Sequence, residues 1–194
     1  MKKIIIYLKI INFNTEAFYF GSMEPTQQSQ LNFIIEELNN TDRSKFPWLI
    51  ASGHRPMYCF VNNDDDCTNW EYDRVRLAYE ELFYNYNVTM YISAHEHCYE
   101  RLCPIYNGTC QTNLNSTNEY HVDNLTYPIH IINGGGGNIE GYNSYTKNLN
   151  DVITFFGGPS FGVIETTYDY LKWIEYRVDY NDNKNEIDNF RILA

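Results

Sequence analysis

The 194-residue chain predicts an α/β fold. Short apolar runs alternate with helical stripes in the order β-α-β-α-β, and two of those runs end in histidine. That alternation makes a mainly parallel strand arrangement the default. Gln27 to Leu38 carries Leu31, Ile34, Ile35 and Leu38 at helical spacing, with Thr26 as a cap. Phe46 to Ser52 reads as a strand, and Asp73 to Tyr86 as a second helix with Val75, Leu77, Leu82 and Phe83 on its apolar face. Val88 to Ser93 is the next strand. Asn107 to Asn124 is polar and reads as a surface insertion. Ile129 to Ile132 forms another strand, Phe161 to Thr166 and Leu171 to Asp179 an antiparallel pair, and Phe190 to Leu193 a short last one. No internal repeat and no domain-splitting linker is present, and a 43% hydrophobic content suits one domain with a sizeable core.

Charge narrows the function classes. A formal charge of −11 leaves no basic patch to neutralise a nucleic-acid backbone, so nucleic acid is not an expected partner. No run reaches the length of a transmembrane helix. Met1-Lys2-Lys3 followed by Ile4 to Leu8 imitates a secretory signal, but Lys9 interrupts the apolar stretch and no small-residue cleavage site follows.

The chemistry concentrates at two strand ends. His95-Glu96-His97 follows the apolar run Val88 to Ile92, and residues i and i+2 of an extended backbone project to one side, roughly 7 Å apart. Two imidazoles so placed can each take one ion of a two-metal centre, whose metals sit roughly 3.5–4 Å apart. His54, in Gly53-His54-Arg55, has the same setting. Strand-end loops of a parallel sheet converge where sites form. The competing reading is polar loops after strands. Arg55 and Arg101 are the cations available to attract an anionic ester, against ordinary ion pairs as the alternative. Gly134 to Gly137 admits an anion-binding turn or a plain tight turn, since it lacks the lysine and Ser/Thr of a nucleotide loop. His121 and His130 read as structural. Cys98, beside His97, points away from the histidines and also reads as structural. Five cysteines suggest an oxidising compartment, and N-glycosylation sequons begin at Asn39, Asn87, Asn107, Asn115 and Asn124. Both suit a secreted, lysosomal or other endomembrane address.

Pro47-Trp48-Leu49-Ile50, Gly53-His54-Arg55-Pro56-Met57-Tyr58-Cys59, Asn63 to Thr68, Ala94-His95-Glu96-His97-Cys98-Tyr99-Glu100-Arg101, Ile131 to Gly141 and Pro159-Ser160-Phe161-Gly162 form a set of blocks. As a set they resemble the purple acid phosphatases, the long animal and plant types in particular. The resemblance runs from about Asn14 to near the C-terminus. It implies part of a four-layer α-β-β-α metallophosphatase sandwich lacking its N-terminal half: one partial calcineurin-like domain over 1–194, with the family's C-terminal region from about 127 to 194. It makes residues 4 to 14 a core strand and pairs Cys59 with Cys67. It also implies hydrolysis of phosphate monoesters at a dinuclear centre of iron with zinc, manganese or iron. His54 and His95 would hold the divalent ion and His97 the ferric ion.

The departures bear on activity. No Asp-x-Gly, Gly-Asp-x-x-Tyr or Gly-Asn-His occurs, so the family's aspartate, bridging aspartate, tyrosine and asparagine ligands have no counterpart here. A hard ferric ion prefers oxygen donors, and three histidines alone cannot build that site. Val61 to Asp66 contains none of the substrate-facing histidines that some plant members carry. The ligand blocks are expected in a preceding segment, together with any secretion signal. Two classes of function follow: a metal-dependent acid phosphatase of which this chain carries the histidine arm, or a catalytically inactive remnant or secreted binding protein. A nuclease or phosphodiesterase of the wider metallophosphatase group fits the His-x-His pair but not the later blocks.

Overall fold

The computed structural model describes residues 6–19, 24–61, 73–137, 139–144, 151–179, 181 and 183–194. Its first sheet is built on parallel strands β1 (Leu8–Asn12), β2 (Trp48–Ser52), β3 (Met90–Ser93) and β7 (Ile129–Asn133). Helix α1 (Glu24–Asn39) connects β1 to β2, and α2 (Asp73–Asn85) connects β2 to β3. Strand β4 (Tyr99–Tyr106) runs antiparallel beside β7, and β5 (Thr109–Cys110) and β8 (Val152–Phe156) pair with β4. A second sheet has the order β6 (Glu119–His121), β11 (Lys184–Leu193), β10 (Tyr170–Val178), β9 (Ser160–Thr166).

Period-2 patterning explains the layers. Leu49 and Ala51 face the helices, packing with Ile11, Tyr91, Ile34, Leu38, Val75, Tyr79 and Phe83. Trp48 and Ile50 alternate to the other face, where they and Met90, Ile129 and Ile131 meet Leu171, Trp173, Phe190 and Ile192 of the second sheet. A parallel sheet covered on both faces needs such runs of continuous apolar residues. Each fully buried side chain of this kind contributes roughly 1.5–3 kcal/mol. The layers described are α-β-β, the helix-covered sheet and its partner sheet of the expected sandwich.

The helices and parallel strands lie where the patterning puts them, within two or three residues. Three segments differ. The sequence reading leaves Tyr99–Tyr106 and Val152–Phe156 as non-strand, yet they are β4 and β8. The last strand spans ten residues rather than four. The polar 107–124 segment lies at the surface, as its composition indicates, and β5 and β6 tie it into both sheets. Cys103 and Cys110 bridge the start of this segment as a disulfide. Cys59 is also disulfide-bonded, while its expected partner Cys67 lies outside the described residues.

Several ionisable groups are buried off the histidine turns. Burial pushes Glu100 and Glu175 up to about 7, with the charges of Glu96 and Asp188 adding to the respective shifts. Burial pushes His130 down to about 3. One oxygen of each carboxyl, and His130 Nδ1, lack a hydrogen-bond partner. A carboxyl raised above its unfolded value contributes stability that is complete below about pH 4.5 and is lost as pH rises to about 7. His130 contributes oppositely: its share is present above about pH 6.5 and is lost as pH falls toward 3. Two carboxyls outweigh one histidine in the shared window. Stability is therefore expected to fall by on the order of 3 kcal/mol between pH 5 and pH 8. Urea unfolding across that range checks this. The double change Glu100→Gln, Glu175→Gln should reverse the slope below pH 6.5, leaving His130's rise, and flatten it above. A wild-type profile rising toward pH 8 would contradict the assignment.

Candidate metal centre

Both histidine turns sit at the carboxyl ends of adjacent parallel strands. The ladder runs past the strands, with Gly53 N donating to Ile92 O at 3.1 Å and Ala94 N to His54 O at 2.9 Å. Gly53 is required by its neighbours, since a Cβ there would lie 2.6 Å from Thr15 Cγ2 and 3.0 Å from Tyr91 Oη. That approach lets Thr15 Oγ1 accept from Arg55 N at 2.9 Å, while Tyr91 Oη donates to Arg55 O at 2.6 Å. The short 3-10 helix Thr15–Phe18 is thereby fastened beneath the first turn.

Backbone hydrogen bonds shape the second turn. Glu96 N donates to Ala94 O, Cys98 N to Glu96 O, and Gly134 N to Cys98 O at 2.7, 2.9 and 2.9 Å. His95 adopts φ 61°, the left-handed region. For a non-glycine residue this stores about 1–3 kcal/mol and is characteristic of functional turns.

The result is a paired imidazole. His54 Nε2 and His95 Nδ1 lie 3.0 Å apart, with the rings edge to face at 4.9 Å. Burial first, then His95, Arg55 and His97, holds the His54 imidazole below its ordinary value, with Glu16 pulling the other way. Neutral imidazole is the form that ligates metal. Two nitrogens on one tetrahedral ion at roughly 2.0–2.1 Å are separated by roughly 3.3 Å, so the observed spacing fits shared coordination with little movement.

His97 takes a different direction. Its backbone N donates to Asn143 Oδ1 at 2.5 Å, and its Nδ1 lies 3.8 Å from Glu140 Oε2. Among the described residues, no third histidine, cysteine or carboxylate ligand atom completes a set with His54 and His95 within 4.8 Å.

Arg55 stands beside the pair. Nη1 is 3.2 Å from His95 Nε2, Nε donates to Glu16 Oε1 at 2.7 Å and Nη2 to Glu16 Oε2 at 3.3 Å. Its guanidinium stacks 4.1 Å over the Tyr19 ring. Glu16 and Tyr19 carry no signal of this role in the sequence, because only the fold brings them to Arg55. Arg101, the other candidate cation, is 1% exposed and paired with Asp188 of the second sheet, so it is a structural group and not an anion site. Cys98 is buried with a free thiol that burial pushes well above its ordinary range, which suits packing and not nucleophilic attack. His130 is buried edge-on to Tyr58 and Tyr91, and His121 is exposed on β6. Gly134 and Gly135 form a close-packed turn against Glu96 and Ser160, whereas Gly136 and Gly137 have open space around them.

Residues 8–99 match the family model of the calcineurin-like phosphoesterases. Acid phosphatase type 7 of Danio rerio is 34% identical over 185 residues, 85% of this chain and 41% of that protein. Acid phosphatase type 7 of Homo sapiens is 40% identical over 138 residues, 66% of this chain and 31% of that protein. The purple acid phosphatase PPD1 of yellow lupin seeds superposes with a TM-score of 0.72 at 25% identity, covering 95% of this chain and 30% of the lupin chain. This chain thus spans well under half the length of these relatives. Strand-end histidines, sheet topology and sequence similarity agree: the chain carries a calcineurin-like metallophosphatase domain whose relatives are acid phosphatase type 7 and the purple acid phosphatases.

Proposed function

We propose that this chain is the histidine-bearing part of an acid phosphatase-type hydrolase of phosphate monoesters. The observation that carries the reading is the His54–His95 pair, 3.0 Å apart at adjacent strand ends. His54 and His95 would hold one ion and His97 the other, as iron with zinc, manganese or iron. When bound, such a centre supplies Lewis acidity and an activated water for in-line displacement at phosphorus. The chain's own groups orient it. Glu16 and Tyr19 fix Arg55, whose positive charge offsets the chain's −11 where an anionic ester would approach.

The oxygen ligands would come from outside this sequence. Supporting this, β1 has an unpaired edge among the described residues, and Ile6 before it and Ile10 within it are 64% and 54% exposed. An apolar open edge is a seat for further strands. We read 1–194 as one partial domain, with 127–194 as its C-terminal region. The disulfide-bonded cysteines support a secretory or lysosomal address, and the five sequons a glycoprotein. No helix among the described residues is long and apolar enough to cross a membrane.

Reading the transcript upstream of Met1 for Asp-x-Gly, Gly-Asp-x-x-Tyr and Gly-Asn-His in that order tests the proposal. The protein so extended should hydrolyse p-nitrophenyl phosphate at acidic pH. His95→Ala in it should lower kcat/KM at least ~100-fold, beyond the 10–100-fold typical of changes outside the ligand set. The 194-residue protein alone should show negligible hydrolysis, and two tightly bound metals per chain in it would overturn the division of ligands. Inactivity of the extended protein would instead favour the non-catalytic reading.

A further inference from the structure

The five sequons are all of the Asn-x-Thr type, and all five asparagines are exposed. Their placement is not scattered. Asn39 ends α1 ahead of β2, and Asn87 follows α2 ahead of β3. Asn107 tips the turn after the descending strand β4, and Asn124 precedes β7. These four therefore lie at the amino ends of the parallel strands. His54, His95 and His97 lie at the carboxyl ends, the opposite pole.

Three of the four ring one feature. Tyr84, Tyr106 and Tyr127 form a half-buried surface cluster: Tyr84 and Tyr106 stack at 4.1 Å, and Tyr127 meets them at 5.9 and 5.7 Å. Asn87 N donates to Tyr84 O at 3.1 Å, Asn107 follows Tyr106, and Tyr127 follows the sequon threonine Thr126. Asn87, Thr126 and Tyr127 line a single cleft of about 80 Å³. The Asn107-Gly108 turn has φ 48° and 69°, which presents the asparagine at the hairpin tip.

We propose that Asn87, Asn107 and Asn124 carry N-linked glycans whose first sugars pack on the Tyr84–Tyr106–Tyr127 cluster, making the pole opposite the histidines a sugar-covered, sugar-stabilised face. In the modification, asparagine Nδ2 bonds to the anomeric carbon of a lipid-diphosphate-linked oligosaccharide. The bond from that carbon to the diphosphate oxygen breaks, the lipid diphosphate leaves, and the amide loses one proton. An exposed tyrosine face leaves apolar area in water, and the apolar face of a pyranose covers it. Thr89 is 8% exposed and its Oγ1 accepts from Leu49 N, so the Asn87 sequon is read before the chain closes around it.

The inference rests on the secretory address proposed above, and the test supplies that address. The full chain is expressed behind a cleavable secretion leader in a eukaryotic host, and the glycans are released enzymatically in heavy-oxygen water. Peptide mass spectrometry should then show labelled aspartate at positions 87, 107 and 124. Release should lower Tm by roughly 2–4 °C, the scale of a modest stability change in a domain of this size. Tyr106→Leu should keep occupancy but abolish that Tm difference. Asn115→Gln, off the cluster, should leave the difference intact. An unoccupied site among the three, or a Tm unchanged by release, overturns the proposal. Neither outcome touches the phosphatase reading, which stands or falls on hydrolysis by the extended protein.

Discussion

Replacing Asp188 with asparagine is expected to cost roughly 3–5 kcal/mol, the penalty for stranding a buried charge. Against a total stability of about 5–15 kcal/mol this leaves the fold marginal or lost. Asp188, on β11 of the second sheet, accepts from Arg101 Nε at 2.6 Å and Nη2 at 2.8 Å, and from Tyr99 Oη at 2.7 Å. Arg101, on β4 of the first sheet, is completed by Thr117 O, Asn118 Oδ1 and the Phe190 ring. Removing the negative charge leaves a guanidinium that is 1% exposed with only neutral partners. The double change Arg101→Met, Asp188→Leu removes both charges together and should be clearly less damaging than either single change. Denaturant unfolding of Asp188→Asn, and of the four proteins of the Arg101→Met, Asp188→Leu double-mutant cycle, checks this. An Asp188→Asn protein within 1 kcal/mol of wild type would show that the pair does not hold the sheets together. The clamp also matters for the metal centre, because β4 starts at Tyr99, two residues after His97. Fixing β4 fixes the downstream end of the histidine turn.

The elements legible from sequence are those whose partners are local or generic. The parallel strands read as apolar runs because both faces are covered by helices or a second sheet that accept any well-fitting apolar side chain. The histidine turns are legible because a polar pair placed abruptly after such a run marks the strand end, where sites form. Strand β4 is not legible. Tyr-Glu-Arg-Leu-Cys-Pro-Ile-Tyr carries two charges and a proline, yet its first seven residues are buried. Glu100 is tolerated because burial raises its carboxyl to about 7, and Arg101 by a carboxylate 87 residues away, neither of which has a local signature. The same gap makes Arg55 and Arg101 look equivalent in sequence. Both follow or flank a histidine motif, but Glu16 and Tyr19 reach the first and Asp188 the second only after folding.

Gly134→Ala is expected to dismantle the second histidine turn while leaving the ligands themselves in the chain. A Cβ on Gly134 would lie 1.9 Å from Glu96 O and 3.0 Å from Glu96 C, and both are backbone atoms that no rotamer change can move aside. The carbonyl in question already accepts from Cys98 N, and Gly134 N donates to Cys98 O, so the two segments have no slack between them. The 95–98 turn must shift to relieve that contact, taking His95 Nδ1 away from His54 Nε2. Overpacking of this kind costs typically about 1–3 kcal/mol. Misplacement by about 1 Å costs about 100-fold in function where geometry is exacting. Zn²⁺ affinity of the His54–His95 pair, read by calorimetry on the 194-residue protein, should fall at least ~10-fold, beside the about 1–3 kcal/mol loss in unfolding free energy. Gly136→Ala is the matched control: nothing lies within 4 Å of its Cβ position and its φ is not positive. It should be neutral or stabilising by about 0.4–1 kcal/mol, because alanine restricts the unfolded chain. Equal Zn²⁺ affinity in the Gly134→Ala and Gly136→Ala proteins would mean that the glycine turn does not position His95. The paired imidazole would then have to be set by the strand ends alone.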